Sequence, residues 1–411
     1  MDHLPGTATV QPVRVALREP RAWHITLTTT DTLKAGTRLY FVYLGTQRQA
    51  ATLQHTFPDD DGYWQIEAPG VSIQAEWFQL VAFEIIRVWL LGDAPPGITV
   101  NLTIHDHARR REHDTGLHLT AWAAKPFPIF MRAPGSQRLL GLADTPAVSI
   151  QPGAPRYLRA YRSSVLDSGQ PYAVKIAYFD DQLNPVFGLK TDLSKVCACG
   201  REQLTPQTGH APLTVTVSPC ECSEIDIEDT EWGLKARLNP CRSAGDDHLR
   251  LFWGDIHSHC YADDGIRTID DNFIYARDAA LLDFAAQSAH DTFAVYNPGS
   301  YSQYTPSMRD YAARHGYDWE QEFVEIIDAA IGCADGQPRW AYALKRAHAY
   351  NQPREFVTIP AFEWTSGRYV HLEKATHVIA RHGHRCVYFS IPDPPIFPNR
   401  DARFNTPEKL F

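Results

Sequence analysis

No stretch of uncharged apolar residues approaches the roughly 20 needed to cross a bilayer. The opening MDHLPGTATVQPV has neither the basic flank nor the apolar core of a secretion signal. No membrane partner is therefore expected, and the cytoplasm is the expected compartment. Cysteine is scarce: eight in 411 residues are too few to staple a chain of this size, so reduced thiols or metal ligands are expected. Basic residues number 39 against 48 acidic ones, and the net charge of −9 argues against binding to a nucleic-acid backbone. Internal repeats and low-complexity tracts are missing. What remains, 44% apolar and 21% charged, is the composition of a globular protein with material for two or three cores.

The texture of the chain changes near residue 245. Before it, short segments alternate apolar and polar side chains, as in ITVNLTI (98–104) and LTVTV (213–217), the pattern of half-buried antiparallel strands. Turn-rich connections such as PDDDG (58–62) and GDAPPG (92–97) separate them. The spacing predicts an all-β region of two sandwich-like units, residues 1–140 and 141–245. Residues 246–411 alternate strand, loop and helix instead. RLFWGDI (250–256) and LLDFAAQ (281–287) read as buried strands. Between them Thr268 is placed to cap a helix whose inward face carries Ile269, Phe273, Ala276 and Ala280. In alternating β/α architecture the strand C-termini surround the site, so GDIHSHCYADDG (254–265) and SAHD (288–291) are expected to converge.

On an extended segment residues i and i+2 point the same way, so His257 and His259 present two imidazoles to one point. Two imidazoles suit a borderline divalent ion such as zinc, iron or manganese, and Asp264, before Gly265, adds a hard oxygen ligand. His290 ends the next strand, and Glu363 of PAFEWTS (360–366) follows another apolar run, REFVTIP. These groups at three successive strand ends point to a metal site. The competing reading is of satisfied polar groups in the core or on the surface.

The H-x-H followed by D-G, the histidine of SAHD and the strand-end glutamate resemble the PHP (polymerase and histidinol phosphatase) superfamily. ARLNP (236–240), LFWGDIHSH, YARDAALLDF (275–284), FEWTS and HGHRCVYF (382–389) are similar to a large uncharacterised bacterial branch of it with β-rich N-terminal regions. The resemblance spans about 145–411. It implies a distorted (β/α) barrel whose two or three metal ions activate water to hydrolyse a phosphoester in a small anionic substrate. His257, His259, Asp264, His290, Glu363 and His384 fall at its ligand positions, with Glu363 bridging and Glu363 and His290 in catalytic roles; His377 and His382 lie close to His384 in sequence. Ala289 stands where that family has an aspartate, Asp263 where it has a serine, and Cys386 where it has an asparagine. The family's later strands would follow Phe411, so the barrel is expected to be incomplete, finished by a downstream segment or a second chain, and this chain alone is expected to be weakly active.

Several residues fall outside that pattern. Cys197-x-Cys199 and Cys220-x-Cys222 could form a tetrahedral structural zinc site, although the spacing matches no CxxC knuckle; a redox disulfide and unlinked thiols stay open. Cys260, inside the metal loop, invites reading as a nucleophile, but is expected to pack or to support the ligand residues. Arg368, Lys374 and Arg385 could bind an anionic substrate or form surface ion pairs. Tyr296, Tyr301, Tyr304, Trp319, Trp340 and Tyr342 read as helix packing around the amphipathic EFVEIIDAAI (322–331). The same ligand set would serve an amide, ester or lactone hydrolase. A non-catalytic β-domain binding module on a partial barrel scaffold is the remaining alternative.

Overall fold

The computed structural model describes residues 3–410 apart from 18, 20, 45–52, 60–61, 81–82, 107–121, 168, 192–195, 199–201, 204, 207–210, 219–224, 245–248, 262, 264, 292–320, 334–338, 366–367, 373–374, 380–382 and 400. Strands dominate the described residues, gathered into several small sheets.

The first unit is a sandwich. One sheet orders the strands Gly6–Gln11, Arg21–Thr29, Thr99–Asp106 and Trp64–Glu67; the other orders Leu140–Gly141, Ile129–Arg132, Arg38–Leu44, Phe83–Leu90 and Ile73–Leu80. As the alternation predicts, Val100, Leu102 and Ile104 are buried, and Ile98 with them. Leu102 and Ile104 face Phe41, Tyr43 and Ile86 of the other sheet, since with Ile25 they line one small void together with those three. The strand Ala147–Gln151 pairs with Arg14–Ala16 and Trp122–Pro126, so it stays with this unit. Arg38–Leu44 is buried on both faces beyond its first residue. A sandwich alone would leave one face wet; here part of that outer face is covered by the helix Gln321–Ala330 of the C-terminal region, with Tyr40 donating to Glu322 at 2.7 Å.

The second unit pairs Tyr157–Arg162, Tyr172–Phe179, Leu213–Val217 and Thr205–Pro206 in one sheet, and Glu202–Gln203, Val196–Ala198, Asp226–Asp229 and Leu234–Arg237 in another. Val174, Ile176, Val215 and Ile227 form its core. It docks at the N-terminal ends of the C-terminal region's parallel strands: Tyr161 donates to Asp283 at 2.5 Å and Ser164 to the Leu251 carbonyl at 2.6 Å.

In the C-terminal region Gly254–Ser258, Phe284–Gln287 and Val357–Thr358 form a parallel three-stranded sheet. A parallel bridge from His290 to Glu363 extends it to Ala361–Thr365, which pairs antiparallel with His384–Tyr388. The strands Arg368–Leu372 and Ala375–Ile379 pair separately. The expected (β/α) barrel is therefore not what the described residues form: once the chain turns back antiparallel after Thr365, the sheets stay small and open. Thr268 caps Ile269–Ile274 in a reciprocal capping box with Asp271. The helix then passes into a π turn, Tyr275–Ala279, whose extra residue advances the inward face, so that Ala279 is buried at 0% exposure in place of Ala280. No helix among the described residues is long and apolar enough to cross a membrane.

Candidate metal centre

Four histidines and one glutamate meet at the C-terminal ends of these strands. His257 lies within the first strand, His259 just beyond it, and His290 three residues past the second. Glu363 sits mid-strand, drawn alongside by its N–H donating to the Ala289 carbonyl at 2.9 Å. His384 opens the last strand and pairs with Thr365, putting it on the same face as Glu363.

The Glu363 side chain is 5% exposed, and its two oxygens face different partners. Oε2 lies 3.5 Å from His257 Nε2, 3.3 Å from His259 Nε2 and 3.0 Å from His290 Nδ1, while Oε1 lies 2.9 Å from His384 Nδ1. Burial alone would raise the Glu363 carboxyl; contact with His259 and the charges of His290 and His384 outweigh it and bring it down to about 2. Oε2 is buried without a hydrogen bond. A buried carboxylate oxygen ringed by imidazole nitrogens and left unsatisfied is the arrangement a cation would complete. The donors overlap in three groups able to hold an ion: His257, His259 and Glu363; His259, Asp263 and His290; His290, Glu363 and His384.

Asp264 lies outside the described residues, and the carboxylate found at the cluster is its neighbour Asp263, 2.6 Å from His259 Nδ1. Arg385 pairs with Trp364, a position alternate to Glu363 and Cys386, and its guanidinium donates to the His384 carbonyl at 2.8 Å; it does not reach the cluster. Of Arg368 and Cys197 only the backbone is described, and Cys199, Cys220, Cys222, Lys374 and His382 lie outside the described residues, as do Tyr296, Tyr301, Tyr304 and Trp319. Cys260 is buried, as packing requires. Trp340 and Tyr342 are buried in a helix, donating to the carbonyls of Pro394 and Ile331.

Two supporting residues escaped the sequence reading. Thr365 Oγ1 lies 2.7 Å from His290 Nδ1 and donates to the Glu363 carbonyl at 3.0 Å. Asp291, fully buried, accepts from the Thr365 N–H at 2.9 Å. Period-two alternation from Glu363 was the signal for Thr365. Asp291 gave none, since its role depends on a strand 74 residues away.

No family model matches the chain, and no curated protein does. Among solved structures, one similar chain is described as "AvmM Catalyzes Macrocyclization in Alchivemycin A Biosynthesis", at 11% identity and a TM-score of 0.19, covering 38% of this chain and 93% of that one. That likeness is too slight to define a shared fold.

Proposed function

We propose that the chain is a metal-dependent hydrolase of the PHP type, acting on a phosphoester, with a dinuclear site bridged by Glu363. The observation that carries this reading is the division of the Glu363 carboxylate, Oε2 toward His257 and His259 and Oε1 toward His384. His257, His259, His290, Glu363 and His384 would hold the ions, with zinc, manganese or iron suited to this mix of imidazole and carboxylate. Bound divalent ions supply Lewis acidity, which makes water nucleophilic at neutral pH and neutralises charge developing on a phosphoryl group. The protein's part is positional. Burial fixes Glu363, Thr365 holds the His290 ring, and the half-exposed His257 and His384 leave the cluster open to a substrate.

Elemental analysis of the purified protein is expected to find about two equivalents of zinc, manganese or iron, and the double change His257→Ala, His259→Ala to remove at least one. Glu363→Gln keeps size and removes charge. It should lower kcat on an aryl phosphate by about 100-fold or more while moving Tm little. A metal-free wild type, or a Glu363→Gln protein with normal turnover and full metal content, would refute the proposal. Faster turnover of an aryl ester than of the phosphate would move the assignment to carbon-centred esters.

A further inference from the structure

We infer that Asp263 is a positioning carboxylate rather than a metal ligand: it holds His259 as the tautomer that offers Nε2 to the ion. This rests on reading the cluster as a metal centre.

Three observations separate the two roles. Donors sharing one tetrahedral ion at about 2.0–2.2 Å lie roughly 3.4 Å apart. Asp263 Oδ2 and His259 Nδ1 are 2.6 Å apart, the distance of a charge-assisted hydrogen bond. Opposite on the same ring, His259 Nε2 lies 3.1 Å from His257 Nε2 and 3.3 Å from Glu363 Oε2, the spacing of co-ligands. Both Asp263 oxygens are also occupied. Oδ2 accepts from the His290 N–H at 3.0 Å, and Oδ1 from the N–H groups of Cys260 at 3.1 Å and Gly265 at 3.3 Å. The side chain is 0% exposed, so no water competes for them. One carboxylate thus ties the loop carrying His259 to the backbone of His290, across a gap of 27 residues. Asn272 locks the other side of the loop by donating to the His259 carbonyl at 2.7 Å.

The test uses the full chain with zinc as probe. In Asp263→Asn, the amide oxygen can keep the Cys260 and Gly265 N–H groups, but the amide nitrogen in place of Oδ2 can accept neither the His290 N–H nor the proton of His259 Nδ1, and the ring turns to its other tautomer. Zinc affinity, measured by competition with a chromogenic chelator, should fall about 10- to 100-fold with the number of ions bound unchanged. Imidazole 15N spectra of the metal-free wild type, followed upward in pH until the His259 signals stop moving, should show His259, assigned through His259→Gln, protonated at Nδ1. The Asp263→Asn protein should show it protonated at Nε2. Loss of one ion equivalent in Asp263→Asn would make Asp263 a ligand and overturn the inference, as would unchanged affinity or wild-type His259 protonated at Nε2. The tautomer is read on wild-type protein without metal, so it stands even if the variant fails to fold. A wild type that binds no zinc would sink the hydrolase reading alone.

Discussion

A β-carbon on residue 265 would lie 2.3 Å from the His259 carbonyl carbon and 2.4 Å from the Cys260 nitrogen. Both are backbone atoms, so nothing flexible can give way. Gly265→Ala should therefore push apart the turn that presents His259 and Asp263, costing about 2–4 kcal/mol of stability and weakening zinc binding; thermal melts and chelator competition read the two effects. Lys125 poses the opposite case. Its side chain is 0% exposed, with Nζ 3.7 Å from the Tyr43 ring centroid, 5.0 Å from Trp23 and 5.8 Å from Phe127. Ring faces add about 2 kcal/mol to a desolvated ammonium, so Lys125→Ala, which removes that contact and leaves a cavity among the rings, should lower Tm.

At the scale of elements, one turn contributes to acid stability. Asp180, fully buried, accepts from the N–H groups of Gly153, Gln182 and Asn184 at 2.9, 2.8 and 2.9 Å. Burial raises its pKa, but these donors and the Asn184 amide prevail and hold it below the usual carboxylate range. A depressed folded pKa stabilises fully above the unfolded value of about 3.9, and that contribution is lost as pH falls through the folded one. Urea melts of the wild type should weaken more steeply below about pH 4 than those of Asp180→Asn. Elements of this kind were legible wherever the cause was local. The Leu213–Val217 alternation, the Thr268 cap and the H-x-H pair all rest on neighbours in sequence. Where the cause was distant, the sequence was silent. Periodicity cannot reveal the π turn that swaps Ala280 for Ala279. The sequence does not show that Asp263 is the residue that closes the loop onto Cys260 and Gly265. The antiparallel return of His384–Tyr388 onto Ala361–Thr365 depends on pairing that no single strand encodes.

Across the whole molecule, the first sandwich and the metal centre share a core. The rings of Phe83 and Tyr261 are 5.1 Å apart, and Tyr261 lies between His259 and Asp263 in sequence. Glu322 accepts from Tyr40 at 2.7 Å and Arg87 at 3.0 Å, pairs with Arg38, and lies 3.5 Å from Arg132, which also pairs with Glu325. Its side chain is 11% exposed. Arg132 keeps Glu325 and Arg87 keeps Glu76, so removing the charge weakens the cluster without stranding a cation, and Glu322→Gln should cost about 1–3 kcal/mol. Because the contact spans both regions, the sandwich and the metal centre should still melt in one calorimetric transition.

That shared seam sets a rule for anyone wishing to shrink the protein. A cut near residue 246 would take away the ring against Tyr261 and the basic partners of Glu322, leaving a greasy, miswired surface close to the ligands. A minimal version of the metal centre therefore calls for redesign of that face, with Tyr261 and Glu322 the first positions to replace.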